Sequence, residues 1–326
     1  MKTVLVTGGC GFIGRQVVGT LLKQDCLVRV VDNLSNSELD SLAEFGPVEE
    51  VSPERLGLPQ RSIQFIKADI LDEQTAELAC DGMQSVIHLA ANTGVGPSVE
   101  NPRLDCVTNV IGTLNYLEGC RKNNVGSFVL ASSGATVGEV QPPIHEKLPP
   151  RPVSPYGASK LACEGYCAAY AQTFGLKTVA LRFGNVYGPG SERKSSVVAK
   201  FIRHALNGER LPVFGDGRQT RDFIFIDDLV KAVLLAVTTE GIGGEIFQIA
   251  TARETTIHEL VEVLSDVLVE CGCPRPEMES RASRLGDVAR NFSDTSKAKR
   301  LLGWEAKVGL REGLADTIRW AISGGR

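Results

Sequence analysis

The sequence is short of the features that mark several protein classes. Basic residues are not in surplus: 35 Lys and Arg face 39 Asp and Glu, for a formal net charge of -4. No run of like charge forms a tail, so nucleic acid is not an expected partner. There are four histidines, far apart, and nine cysteines with no Cys-x-x-Cys pair; Cys271-x-Cys273 is the tightest spacing. No metal site is expected from such a set, and the scattered thiols read as reduced, mostly core residues. No apolar run approaches the ~20 residues of a membrane helix. The first strand pattern starts at once, with no secretory n-region or h-region before it. Repeats and low-complexity segments are absent. What remains is a cytoplasmic protein without membrane partners, and 326 residues, 43% hydrophobic, suffice for one elaborated domain or two.

What is present begins at the N-terminus. Thr3-Val4-Leu5-Val6 leads into Thr7-Gly8-Gly9-Cys10-Gly11-Phe12-Ile13-Gly14, and an apolar helical pattern (Phe12, Ile13, Val17, Val18, Leu21, Leu22) leads out. A strand, a glycine turn and a helix in that order are what a dinucleotide site requires. Gly8 and Gly11 can supply the tight turn and the close approach of backbone to a pyrophosphate. Gly14 lets helix and strand pack, with phosphates at the helix N-terminus. The frame Gly9-x-Gly11-x-x-Gly14 fits as well, so spacing alone does not divide the roles.

Leu27-Val28-Arg29-Val30-Val31 reads as a buried parallel strand ending at Asp32, 18 residues after Gly14. A carboxylate there accepts hydrogen bonds from the adenosine ribose and repels a 2′-phosphate, which selects NAD. Residues 46–61 read as an inserted surface loop. Further strands are expected at 62–66, ending at Asp69-Ile70, at 84–91, and at 128–131, reaching Ser132-Ser133. Ligands of an open parallel sheet sit beyond the C-terminal strand ends, which places Asp69, Ala90, Asn92, Ser132 and Ser133 on the ligand edge. His88 reads as a packed strand residue.

Ser154 is a good N-cap and Pro155 a good first helical residue, so a helix runs from Pro155 to about Phe174. It puts Tyr156 and Lys160 on one face. An ammonium beside a phenol stabilises the phenolate, lowering its pKa and giving a base that works near neutrality. After 178–183 the alternation of strands and helices loosens. Asn185 to Gly190 reads as loop, 212–217 as a strand and turn, 221–226 as another strand, and helices are expected near 197–206, 227–238, 256–270, 294–302 and 309–322. The expected architecture is α/β: a doubly wound parallel sheet in residues 1–180, to which elements near 222–250 return. A smaller, partly interleaved α/β substrate lobe fills 181–326.

Taken together, these motifs resemble the extended short-chain dehydrogenase/reductase family, in its nucleotide-sugar epimerase and dehydratase branch. The markers cover nearly the whole chain. They are Thr7 to Gly14, Asp32-Asn33-Leu34-Ser35-Asn36-Ser37, Asp69-Ile70, His88-Leu89-Ala90-Ala91, Asn109-x-x-Gly112-Thr113 and Tyr156-x-x-x-Lys160. Later come Arg182 to Gly190, Gly215-Asp216-Gly217-x-x-x-Arg221-Asp222-Phe223 and Arg284-Leu285-Gly286-Asp287-Val288. The resemblance implies a Rossmann fold, bound NAD, a UDP-sugar or other NDP-sugar substrate, and a homodimer. It implies that Gly8, Gly11, Phe12, Ile13 and Gly14 hold the pyrophosphate side. Asp32, Asn33, Asn36, Ser37, Asp69 and Ile70 would take the adenosine. Leu89, Ala90, Ala91 and Asn109 would line the remaining cofactor path, and Lys160 would bond the nicotinamide ribose. Gly94, Val95, Ser133, Asn185, Arg221, Arg284, Asp287 and Asn291 would face the sugar nucleotide, the arginines on diphosphate.

The family reads Ser/Thr-x-x-Val-Tyr-Gly after its fifth strand; this chain has Ser133-Gly134-Ala135-Thr136-Val137-Gly138, with no Tyr. A gapless alignment puts the catalytic hydroxyl at Ser133, with Ser132 in reserve. Aligning Ala135-Thr136-Val137 instead would put Gly134 there. A 4,6-dehydratase would carry Asp-Glu after that hydroxyl and a UDP-glucuronate decarboxylase a Glu in the loop; neither acid is present. The expected enzyme is therefore a UDP-hexose 4-epimerase with Ser133, Tyr156 and Lys160 as its catalytic set. Asn185 and Gly96 argue against a glucuronate epimerase, which often shows Thr and Arg there. Asn291, where some glucose epimerases place Tyr, leaves room for an N-acetyl group, so UDP-GlcNAc/UDP-GalNAc is a second substrate pair. The rival from another class is a non-catalytic NAD-binding sensor, which would not need Tyr156 and Lys160.

Overall fold

A computed structural model describes residues 2–60, 62–192, 194–282 and 289–324. The chain divides into two compact units. The first comprises Met1–Glu139, Glu146–Arg182 and Val230–Phe247; the second comprises Val140–His145, Phe183–Leu229 and Gln248–Arg326.

The first unit is built on an eight-stranded sheet flanked by helices. Its strands are β1 (Thr3–Thr7), β2 (Leu27–Asp32), β3 (Val48–Glu50), β4 (Ile63–Lys67), β5 (Ser85–His88), β6 (Ser127–Ser133) and β7 (Lys177–Phe183), with Glu245–Ile249 at one edge. The order is Glu245–Ile249, β7, β6, β5, β1, β2, β4, β3, and the pairings from β3 across to β6 are parallel. Strands such as β1 and β2 are buried along almost their whole length, as expected where helices cover both faces. Chain direction across the sheet reverses between β1 and β5, which opens a crevice at their C-terminal ends. Residues 46–61, expected as loop, contribute β3, an edge strand of one half-buried valine and two exposed glutamates. Its charge hides the strand in the sequence and blunts the sheet edge. A buried arginine holds the same insertion: Arg29 donates to Gln64 Oε1, to the carbonyls of Ala79 and Asp81, and to the Gly57 carbonyl at 2.8 Å.

The second unit carries three two-stranded ladders. Asn185–Tyr187 pairs in parallel with Phe223–Phe225, Leu211–Phe214 pairs in parallel with Met278–Arg281, and Thr220–Arg221 pairs antiparallel with Thr255–Thr256. Two expectations change here. Asn185–Tyr187 is strand rather than loop, because Val186 and Tyr187 are buried beside Phe223–Phe225. The expected strand at 221–226 is broken at Asp222, whose carboxylate takes Thr251 and Ser293 instead. Helices Ile257–Glu270 and Leu310–Ile322 pack together, and Gly313 lets the latter approach Tyr187.

Candidate active site

The glycine turn after β1 shows how its residues divide the work. Gly8 has φ +68°, and a Cβ on it would lie 2.8 Å from the Ala90 nitrogen, across the crevice between β1 and β5. Gly14 is the close-packing position: a Cβ there would come within 2.1 Å of the Gly8 carbonyl. Gly9 instead backs onto Val30 in the sheet, so the Gly8, Gly11, Gly14 frame carries the turn. Gly11 is the N-cap of the Phe12–Lys23 helix and offers no side chain of its own, leaving backbone N–H groups open to an anion.

Asp32, at the end of β2, is 8% exposed. One carboxylate oxygen accepts from Leu34 N and Ser37 Oγ, the other from Cys10 N at 3.0 Å. The carboxylate is thus locked beside the glycine turn with lone pairs left for a ribose. Asn33 Nδ2 donates to Asp69 Oδ2 at 2.8 Å, joining two expected adenosine residues from β2 and β4. Asn36 is exposed and bonds Ser35. Ile70 is buried against Gly112, and its carbonyl accepts from Asn115. Leu89, Ala90 and Ala91 are half-buried at the end of β5. Gly94, with φ +106°, caps the Val95–Glu100 helix. These residues fit a dinucleotide: the cradle at Gly8 and Gly14 has no space for a Cβ, and the acid stands one strand away.

The Pro155–Phe174 helix forms as its sequence predicts. Ser154 Oγ accepts from Gly157 N, Pro155 opens the helix, and Gly175 closes it in the left-handed conformation. Burial pushes the Tyr156 phenol up to about 12, against a smaller lowering from the Ser133 hydroxyl. Lys160 is 2% exposed, and its Nζ donates to the Ala131 carbonyl at 3.0 Å. Burial lowers the Lys160 pKa. The spacing predicts a phenol made acidic by its lysine; in the protein alone desolvation wins, so the phenol is a proton holder until positive charge arrives beside it.

Ser132 and Ser133 separate cleanly. Ser132 is buried and donates to Glu164 Oε1, and Glu164 forms a two-pronged ion pair with Arg182 (2.8 and 2.7 Å) at 3% or less side-chain exposure. Its hydroxyl is committed to the interior, whereas the Ser133 hydroxyl accepts from Ala135 N at the start of the loop. Asn109 is 1% exposed, and its amide is spent on Asn92, Asp105 and Ser159, so it braces the site from behind. Asp105, Gly157, Ser159 and Glu164 were given no role by the sequence, and Arg182 entered only as the first residue of a family marker. The available signal was polar residues at Tyr156+3 and Tyr156+8, on the helix face that Lys160 shares. Gly157 is the least visible of them: a Cβ there would lie 2.3 Å from the Ala135 carbonyl, so only glycine lets the base helix approach the Ser133 loop this closely.

In the second unit, Asn185 and Arg221 line one cavity of about 190 Å³ with Val197, Phe201, Pro212, Phe214, Gln219 and Ile257. Arg221 Nη1 donates to the Thr220 carbonyl at 2.6 Å, and Asn185 N donates to the Asp222 carbonyl. Asn291 is half-buried, its backbone N–H on Thr220 Oγ1. Arg284 and Asp287 lie outside the described residues. Among the described residues no group of His, Cys, Asp and Glu is placed to hold a metal, and no helix is long and apolar enough to cross a membrane.

A parallel sheet with a glycine turn and a strand-end acid at its switch point defines a dinucleotide-binding protein of the doubly wound class. The model of the NAD dependent epimerase/dehydratase family matches residues 4–250, and the chain belongs to that family. It is similar along its length to several members. A UDP-glucose 4-epimerase from Thermotoga maritima, solved with UDP-glucose, is 37% identical, with 99% of each chain covered and a TM-score of 0.87. A UDP-N-acetylglucosamine 4-epimerase from Methanobrevibacter ruminantium, solved in complex with UDP-N-acetylmuramic acid, is 32% identical, with 99% of each chain covered and a TM-score of 0.88. A UDP-glucuronate 4-epimerase from Thermodesulfobacterium geofontis is 33% identical over 98% of this chain and 96% of its own. The protein is an enzyme, an NAD-dependent isomerase of this family.

Proposed function

We propose that the enzyme is a cytoplasmic UDP-sugar 4-epimerase, with UDP-glucose and UDP-galactose as its first substrate pair. The observation that carries this reading is buried Lys160 on a helix that Gly157 brings against the Ser133 loop, where Ser133 is followed by Gly134 and Ala135 rather than an acid. A Cβ on Gly134 would meet nothing within 4 Å, so the loop has room for an acid that the sequence does not supply.

When bound, NAD supplies the hydride acceptor and its positive charge, which favours the phenolate. Gly8, Gly11, Phe12, Ile13 and Gly14 would hold its pyrophosphate. Asp32 with Asn33, Asn36, Ser37 and Asp69 would hold its adenosine, and Ile70, Leu89, Ala90, Ala91 and Asn109 would shape the path between. Tyr156 takes the proton of the sugar 4-hydroxyl, and Ser133 hydrogen-bonds the same oxygen as it becomes a ketone. Arg221 and Arg284 grip the diphosphate and Asp287 the uridine ribose, while Asn185, Gly94 and Val95 bound the sugar. The keto sugar turns over on that anchor and presents its other face; there C4 would recover the hydride it gave up to bound NAD while Tyr156 returns its proton to the oxygen, giving the 4-epimer.

The purified protein is expected to interconvert UDP-glucose and UDP-galactose with no NAD added. Tyr156→Phe should abolish turnover, by on the order of 10²-fold or more, and leave NAD bound; retained activity refutes the mechanism. It also separates the enzyme from a sensor, which would lose nothing with Tyr156. UDP-GlcNAc/UDP-GalNAc is the second pair, on the strength of Asn291. Asn291→Tyr should reduce turnover of the N-acetyl sugars more than that of the plain hexoses, and unchanged kcat/KM for both pairs would remove its basis. Glucuronate is disfavoured by Asn185 and Gly96.

A homodimer is part of the same reading. Val95, Val99, Leu104, Val107 and Ile111 stand between 38% and 61% exposed on consecutive helical segments of the first unit. Leu104, Val107 and Ile111 recur at one helical face. A group of apolar side chains left in water suits an interface with a second copy.

A further inference from the structure

Asp105 is a fully buried carboxylate whose oxygens bond a hydroxyl and an amide. Its Oδ2 accepts from Ser159 Oγ at 2.6 Å and its Oδ1 from Asn109 Nδ2 at 3.3 Å. Asn109 Nδ2 also lies 2.9 Å from Ser159 Oγ, and its amide brackets Asn92, accepting from the Asn92 N–H and donating to the Asn92 carbonyl. The helical stretch that carries these two residues passes through a π-turn at Val107–Ile111, which frees backbone carbonyls; the Cys163 thiol takes that of Asn109. A wide turn of this kind is a costly local departure that recurs at functional sites. Ser159 stands three residues after Tyr156 and one before Lys160.

We propose that Asp105 and Ser159 are a positioning pair for the base helix. The carboxylate fixes the rotation of Pro155–Phe174 so that Tyr156 stands at the Ser133 loop and Lys160 meets Ala131. Through Asn109 it ties that rotation to the Asn92 turn that precedes Gly94 and Val95. Neither residue touches the reacting atoms. Burial lowers the Lys160 pKa, and the Asp105 carboxylate works against that shift. The titratable groups around the pair are Tyr156, Lys160, Cys163 and Glu164 on the base helix, and His88 from β5 on the Lys160 side.

The kinetic arm of the test rests on the epimerase reading; the titration arm does not. In the holoenzyme, Ser159→Ala is expected to lower kcat by about 10- to 100-fold with KM within about twofold, as a small misplacement of the base does. Ser159→Thr, which keeps the hydroxyl, should restore most of it. Asp105→Asn should give a similar loss, and the double variant little more than either single one. Tyr170→Phe, which removes the bond from the far end of the base helix to Glu118 on the Gly112–Lys122 helix, serves as the control for mere loss of helix stability. Ser159→Ala with wild-type kcat and only a lower melting temperature would overturn the proposal. Independently, ultraviolet titration of the Tyr156 phenolate, taken against Tyr156→Phe, should move to lower pH in Asp105→Asn, since a buried negative charge has gone. An unmoved midpoint also overturns it. A wild-type protein that interconverts no UDP-sugar refutes the epimerase reading alone, and the phenolate titration then decides the pair.

Discussion

His88 shows what burial does to a single titratable side chain. The ring lies between Tyr116 and Phe128, with centroids 5.3 and 5.6 Å away, and Nδ1 meets Thr7 Oγ1 at 2.9 Å. Burial, then the nearby Lys160 charge, lowers its pKa to about 3. The folded protein therefore keeps His88 neutral where the unfolded chain, titrating near 6.5, binds a proton. More protons on the unfolded state mean that stability rises with pH. The contribution is complete above about pH 6.5 and is lost as pH falls toward 3, at up to ~1.4 kcal/mol per pH unit. His88→Asn keeps a polar atom for Thr7 and removes the titration. Urea midpoints between pH 7.5 and 5 should fall less steeply in that variant, although it starts lower for lack of ring contacts. Equal slopes would show that other groups govern acid stability. The sequence places His88 in a strand and denies it a metal; its neutral, wedged state depends on Tyr116 and Phe128, which no local pattern reveals.

At the scale of one element, the Pro155–Phe174 helix was legible because its signals are local. Ser154, Pro155 and Gly175 mark its ends, and Tyr156 and Lys160 fall on one face by periodicity alone. What orients the helix was not legible. Ser159 meets Asp105 across 54 positions, and Glu164 meets Arg182 across 18 and Ser132 across 32; such pairs exist only after the sheet has formed. The same holds for Asn185–Tyr187, whose strand partner Phe223–Phe225 is distant in sequence, and for β3, whose glutamates read as loop. Gly157 sits between the two cases. Its residue type is visible, but its purpose is the approach to Ala135. Gly157→Ala forces the helix back from the Ser133 loop and should lower kcat by about 10- to 100-fold, while NAD, proposed to bind at the glycine turn and Asp32, should be retained. Wild-type kcat in that variant would mean that the contact yields without moving Tyr156.

For the whole molecule, the open question is what covers the apolar residues of the Val95–Glu100 helix and the segments after it. Burial of a side chain such as valine or isoleucine is worth roughly 1.5–3 kcal/mol, so five of them left in water are a large unspent driving force, concentrated on one unit. The proposed two-fold pair of copies would satisfy it with the same patch on each side, as an isologous interface does. The charge state of the chain does not oppose this, since -4 spread over 326 residues gives weak self-repulsion. Light scattering after size exclusion is expected to give twice the 35.0 kDa chain mass. Val99→Glu combined with Ile111→Glu places a charge on each of two exposed positions and should give the single-chain mass without loss of secondary structure. A dimer that survives both substitutions would place the interface elsewhere; a wild-type monomer would leave the apolar face uncovered by a second copy. Because Asn92 and Gly94 lead directly into Val95, and Asp105 and Asn109 sit on the helical stretch that bears Leu104, Val107 and Ile111, the dissociated variant should also lose turnover. That loss should appear in kcat more than in KM, since the residues that brace Tyr156 share their helix with the proposed interface, whereas Arg221 and Asn185 belong to the other unit.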